Sequence, residues 1–225
     1  MAFSGFRKEQ VTFFRQLAAK QDREWFKENK DRYQALAEAP MKELFDDLQP
    51  ALARQYKGFK LKPPKHFRIY RDVRFSKDKS PFKTGSSAVI GMQGSEEEGP
   101  AAALYAHFGV QDYAGAGHWH LPSGKIERYR RLIADDRTGR ELQKRVDALK
   151  KKGFKIESFE ATKRVTPGFR PDHPRAELLK LKGLGISFPK IPAAVRFSPR
   201  LAAWLKARSA EAAALVTWVE GRLGA

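Results

Sequence analysis

The chain has no cysteine, which removes disulfides, thiolate nucleophiles and thiolate metal ligands at once. Acidic side chains are scarce beside basic ones: 26 Asp and Glu face 44 Lys and Arg, a formal charge of +18. Such an excess draws in polyanions through the summed field before any specific contact forms, so nucleic acid and phosphorylated ligands lead the possible partners. The same charge also serves plain solubility. No apolar run approaches the roughly 20 residues needed to span a bilayer. The N-terminus, MAFSGFRKEQ, lacks the continuous apolar core of a secretory signal. The expectation is a cytoplasmic protein without a membrane partner. Also missing are a phosphate-cradling glycine loop, a zinc-protease helix motif, a nucleophile elbow and any internal repeat.

What is present suits a sizeable core: 225 residues, 41% hydrophobic, with 16 Phe and 4 Trp. The pattern predicts one α+β domain over 1–225, helical over 1–57, sheet-forming over 66–121, helical and mixed over 122–225. Phe6, Gln10, Phe13, Phe14 and Leu17 recur at helical spacing, as do Trp25, Asn29, Tyr33 and Leu36. Pro40 opens a third helix carrying Met41, Leu44, Phe45, Leu48 and Leu52. From His66 the period becomes two. Phe82, Ala88, Ile90 and Met92 share one strand face; Leu104, Ala106, Phe108 and Val110 share another. Turn chemistry at 77–81, 94–100 and 113–117 separates the strands, predicting an antiparallel meander packed on helices. Further on, Thr138 and Glu141 read as a capping box, residues 154–160 and 184–188 as strands, and Ser198-Pro199 as the start of a long C-terminal helix.

The chemistry concentrates in HFRIYRDVRFSKDKSPFK, residues 66–83. Read as one strand over 66–75, it places Arg68, Tyr70, Asp72 and Arg74 on one face and Phe67, Ile69, Arg71, Val73 and Phe75 on the other. Arg68 and Arg74 then flank Asp72 and converge on one ligand, with Lys77, Lys79 and Lys83 adding mobile charge. Arg71 interrupts an apolar face and needs a carboxylate or a bound anion beside it. A purely structural ion-pair network among Arg68, Arg71, Arg74, Asp72 and Asp78 is the competing reading.

The string Arg68-x-x-Arg71-Asp72-x-Arg74-Phe75-x-x-Asp78-Lys79 resembles the signature of an uncharacterised, mainly bacterial family, domain-of-unknown-function family 2461. Trp25-Phe26-x-x-Asn29-Lys30-x-x-Tyr33 is similar to it as well. So are Lys163-Arg164, Pro167-Gly168-Phe169 and Asp172-His173-Pro174, and the resemblance covers nearly the whole chain. Where the family tends to have tyrosine, this chain has Phe82, which argues against phenol chemistry there. The resemblance implies a site and no reaction.

Lys163, Arg164, Asp172 and His173 form a candidate second half of the basic site, with His173 a candidate proton acceptor and Asp172 a helix cap. His107, His118 and His120 raise a metal site for consideration, His118 and His120 sharing a strand face; solvent-facing or hydrogen-bonded histidines are the simpler reading, and no metal is assigned. No base-stacking platform stands out among the aromatic residues. Three functions follow from these readings. One is a module binding a phosphate- or carboxylate-bearing ligand, nucleic acid among them, through Arg68, Arg71, Arg74, Lys77, Lys79, Lys83, Lys163 and Arg164. Another is an enzyme acting on a small phosphorylated metabolite, with Asp72, Asp78 or His173 as catalytic candidates and its cofactor unspecified. The third is an ion-pair core in a protein-interaction domain.

Overall fold

Helical apolar spacing at the N-terminus folds as expected. In the computed structural model, which describes residues 3–93 and 101–223, α1 (Glu9–Lys20) buries Gln10, Phe13, Phe14 and Leu17. Asp22 opens α2 (Arg23–Glu28) by accepting a hydrogen bond from the Trp25 amide at 2.7 Å, an N-cap that satisfies one otherwise orphaned donor. After Asn29, α3 (Lys30–Tyr33) runs through a π-helical turn (Gln34–Glu38) into α4 (Ala39–Gln55). Pro40 therefore lies in the first turn of α4 but does not start a separate helix. Its missing N–H falls where the backbone changes register, the place a helix tolerates proline best.

Six antiparallel strands make the sheet: β1 (Lys65–Phe67), β2 (Gly85–Gly91), β3 (Ala102–Gly109), β4 (Tyr113–His118), β5 (Lys155–Glu157) and β6 (Leu184–Ser187). Their order is β1-β2-β3-β4-β6-β5. The antiparallel meander runs β1 to β4, but residues 113–117, expected as a turn, form β4 because their small residues pair with β3 and β6. β6 inserts between β4 and β5. With α5 (Ser123–Ala134), α6 (Asp136–Lys151), α7 (Ala176–Lys180), α8 (Ala193–Arg196) and α9 (Arg200–Leu223), the class is α+β. The predicted turn over 94–100 lies outside the described residues.

Alternation along each strand sends Ala88, Ile90, Leu104, Ala106, Phe108, Ala116, Leu184 and Ile186 to one sheet face. There they are buried with Met41, Leu44, Phe45 and Leu48 of α4 and Leu201, Leu205 and Leu215 of α9. A separate apolar cluster joins Phe13, Phe14, Leu17, Phe26 and Tyr33 to Ile69 and Phe82. No helix among the described residues is long and apolar enough to cross a membrane.

The predicted capping box is displaced. Asp135, in extended conformation, caps α6 by accepting from the Thr138 amide at 2.8 Å, and the Thr138 hydroxyl donates back to the Leu132 carbonyl. An aspartate three residues ahead does the work assigned to threonine.

The larger correction concerns 66–75. The strand ends at Phe67 and a loop takes over. Its stem is closed by Arg71 N–Pro81 O (2.9 Å) and Lys83 N–Ile69 O (2.8 Å). At its tip, Asp72 accepts from the Arg74 amide and Asp78 from the Ser80 amide. Aspartates that bond the backbone two residues on stabilise turns at the expense of extended pairing. The predicted two faces consequently dissolve: Ile69 is buried, while Phe75 is 97% exposed.

Candidate functional site: a basic loop beside an aromatic cleft

The loop is anchored from below. Phe82, fully buried, packs its ring 4.6 Å from that of Phe26 and 5.3 Å from that of Tyr70. Gln21 brackets the Phe82 peptide, accepting from its N–H at 3.0 Å and donating to its carbonyl at 3.3 Å. Phe82 thus serves as an apolar anchor.

The predicted site residues sort into pairs. Arg74 grips Asp72 with Nε and Nη2 at 3.0 and 2.7 Å on the exposed tip. Arg71, half-buried, pairs with Asp78. Hydrogen bonds from the Arg71 and Ser80 side chains hold the Asp78 carboxyl far below the usual range, and those from Arg74 lower that of Asp72. Lys79 donates to the Val73 carbonyl at 2.9 Å and Lys77 is exposed. Arg68 and Lys83 differ from these. The Lys83 ammonium donates to the Arg68 carbonyl at 2.9 Å, and neither side chain forms a close ion pair among the described residues, although the Arg68 charge reaches Asp72 and helps to lower its carboxyl. Partial burial and then the Arg68 charge push the Lys83 pKa down.

The other candidates lie elsewhere in the fold. Lys163 and Arg164 are exposed and make no hydrogen bond or ion pair among the described residues. Asp172 is held by Arg170 at 3.1 and 2.7 Å rather than capping α7. His173 takes the local backbone role instead, its Nδ1 accepting from the Arg175 amide at 3.1 Å. The buried Arg175 guanidinium donates to the carbonyls of Ile133, Ala134 and Asp135, fastening the α5–α6 corner.

The histidines diverge. His118 points to the helix side and meets Glu220 of α9 at 2.7 Å, buried. His120 lies past the end of β4, exposed, 3.9 Å from Glu160. The expected shared face is lost because the strand stops at His118. Among the described residues no group of three or more His, Asp or Glu is placed to hold a metal ion.

On the sheet face opposite the helices lies a cleft of about 590 Å³ that sequence reading missed. Register aligns Phe67, Ser87, His107 and Tyr113 in one cross-strand row, and Val89, Tyr105, Gly115 and Ser187 in the next. Trp119 folds back over this face. A Cβ on Gly115 would come within 2.8 Å of its ring, and one on Gly185 within 2.4 Å. The two missing side chains are what let an indole lie on the sheet. Trp119 Nε1 donates to the Tyr113 hydroxyl at 2.9 Å; the Tyr113 and Ser187 hydroxyls both reach Glu157 Oε1, the former at 3.0 Å. Burial, followed by the Glu157 charge, pushes the Tyr113 phenol up, so it stays protonated. Phe159, 79% exposed, stacks on Trp119 with ring centroids 6.4 Å apart.

Cleft and basic loop meet at β1. Phe67 lines the cleft, and the ammonium groups of Lys83 and Lys65 sit 5.5 and 5.9 Å from its ring centre. His107 lines both the cleft and an adjoining cavity of about 430 Å³ with Arg71, Asp78 and Lys83. A signal was present in the sequence: Tyr113, Gly115, Gly117 and Trp119 alternate, small residues sharing a face with large rings. Phe67, Tyr105 and Glu157, distant along the chain, needed the register.

A family model described as conserved hypothetical protein (DUF2461) matches residues 9–218. Neither curated proteins nor solved structures gave a match to the chain.

Proposed function

The chain belongs to the DUF2461 family of conserved hypothetical proteins, and we propose that it binds a phosphate- or carboxylate-bearing ligand at the Arg68–Lys83 edge of the open sheet face. The observation that carries this reading is the pair itself. Two cations close enough to feel each other stand outside any close ion pair, Lys83 depressed in pKa by burial and then by Arg68, and Arg68 reaching Asp72 only at longer range. Every other arginine of the basic loop already holds an aspartate. An ammonium lining a cavity, with a guanidinium nearby and neither in a close ion pair, favours an anion of two or more oxygens. Lys65, Lys77 and Lys79 extend the positive field around it, and the +18 charge supports a polyanion over a small monovalent one.

Arg71–Asp78 and Arg74–Asp72 are better suited to shaping the loop than to contacting ligand. The same contacts weaken the enzymatic reading, since carboxyls held low by arginine are poor proton acceptors at neutral pH. Lys163, Arg164 and His173 take no part in the proposed site.

Calorimetric titration with inorganic tripolyphosphate tests this. The wild-type protein is expected to show saturable binding that weakens with salt. Arg68→Ala and Lys83→Ala should each lower affinity roughly tenfold or more, the cost of one charge-assisted hydrogen bond. Arg74→Ala should lower it much less. Equal affinity in wild type and in the Arg68→Ala/Lys83→Ala double variant would sink the proposal.

A further inference from the structure

The aromatic cleft has three chemically distinct zones in a line. At the β5–β6 end stands Glu157. Its Oε1 is taken by two hydroxyls, and its Oε2 accepts no hydrogen bond among the described residues. In the middle lie the rings of Tyr105, Trp119 and Phe159, with Tyr105 and Trp119 centroids 6.1 Å apart. Just outside the β1 end, where the Lys83 ammonium sits 5.5 Å from the Phe67 ring centre, are Lys83 and its neighbour Arg68. A carboxylate acceptor, a stacking surface and a pair of cations in no close ion pair therefore follow one another across the sheet.

We infer that the cleft takes a nucleotide whose base carries an exocyclic amino group, the amine donating to Glu157 and the phosphates lying at Arg68 and Lys83. The inference rests on the anion-binding reading of those two cations and adds the identity of what the anion is attached to.

Each zone selects against alternatives. Aromatic faces accept any flat base through stacking, which is why they confer affinity more than sequence preference. Glu157 supplies the preference, because a carboxylate can only accept: it welcomes the amino group of cytosine or adenine and repels the carbonyl that uracil or thymine presents at the matching position. The spacing agrees. Five inter-strand steps of about 4.8 Å separate β1 from β5, the strand that carries Glu157, and lysine and glutamate side chains reach inward from both ends. An extended nucleoside triphosphate, or two linked nucleotides, covers what is left. The exposure of Phe159 on top of Trp119 also acquires a purpose, since a large apolar ring standing in water at a cleft mouth marks a contact surface. His107, between the zones, has its pKa lowered, chiefly by burial and also by Lys83, with Asp112 opposing; at neutral pH it offers a neutral imidazole to a ribose or phosphate oxygen.

The test uses the full chain and ranks CTP, ATP and UTP by calorimetry, with tryptophan fluorescence as a second readout. Tripolyphosphate supplies the base-free control. CTP and ATP are expected to bind about tenfold more tightly than UTP, and Glu157→Gln should erase most of that difference. Should the variant fail to fold, the wild-type ranking of CTP against UTP carries the test alone. Two further arms separate the sources of the nucleotide. A ten-residue oligo(dC) binding more tightly than CTP would support a single strand as the natural ligand, whereas no gain over CTP would support a free nucleotide. CTP and UTP binding equally, or no more tightly than tripolyphosphate, would overturn the inference while leaving the anion site standing. Failure of tripolyphosphate itself to bind would remove both.

Discussion

Charged residues in this protein divide by whether the fold has already matched them. Arg196, buried, already has its ion partner: Nε meets Asp112 at 2.6 Å, Nη2 meets Gln10 at 2.7 Å, and the rings of Phe6, Phe108 and Phe197 lie 4.6 to 4.9 Å away, leaving Nη1 alone without a hydrogen bond among the described residues. Removing it leaves Asp112 without its partner and an unfilled space among phenyl rings. Arg196→Ala should therefore cost about 3 kcal/mol or more in a denaturant titration. Arg68 and Lys83 are the opposite case, and the loss on removing them should appear in ligand affinity rather than in stability. His107 gives the residue scale a pH signature. Burial lowers its pKa from the ordinary 6.5, so below that pH the unfolded chain takes up a proton that the folded one resists. Stability is then fully present above pH 6.5 and falls as the pH drops. His66, shifted in the same direction by burial, adds to the effect. Melting temperatures should decline from pH 7.5 to 5.5, and less steeply in His107→Gln; parallel curves for the two proteins would contradict this assignment.

At the scale of elements, packing overrides intrinsic preference in several places. Gly139 sits in α6, where alanine ordinarily gains about 1 kcal/mol. Here a Cβ would lie 2.1 Å from the Ile133 carbonyl oxygen and 2.5 Å from Arg175 Nε. Gly139→Ala is expected to destabilise, by about 1–3 kcal/mol, and a melting curve decides the sign. Such contacts also mark how far the sequence could be read. The helix stripes of α1, α4 and α9 and the alternation of β2 and β3 were legible, because a buried face of either kind leaves a period in the apolar residues. The loop over 68–83 was not. Its alternation of Phe67, Ile69, Val73 and Phe75 imitates a strand, while the turn-forming bonds of Asp72 and Asp78 act between neighbours and leave no period. The site residues were legible as a charged cluster, yet which of them remain unmatched depends on pairings, Arg71 with Asp78 and Arg74 with Asp72, that only the folded loop decides. The cleft was hidden for another reason. Phe67, Tyr105, Trp119 and Glu157 belong to segments whose neighbourhood is set by strand order, and β6 entering between β4 and β5 is not written in any local pattern.

At the scale of the whole molecule, one sheet face is committed to the core and the other is left for work. The helices take Ala88, Ile90, Leu104, Ala106 and Phe108, while the cleft keeps Tyr105, Tyr113, Trp119 and Glu157. Arg68 and Lys83, in no close ion pair, stand where that face meets the basic loop, and the excess positive charge of the chain raises the local concentration of anions around them. Long-range attraction alone would scatter a small oxyanion over many surface lysines, whereas the proposed site concentrates it at one edge. A crystal soaked in tungstate, an oxyanion visible by its anomalous scattering, separates these outcomes most directly. The strongest peak is predicted within hydrogen-bonding distance of the Arg68 guanidinium and the Lys83 ammonium, and it should vanish in Lys83→Ala crystals. Peaks confined to other surface cations, with the Arg68–Lys83 edge empty at saturating tungstate, would contradict the account.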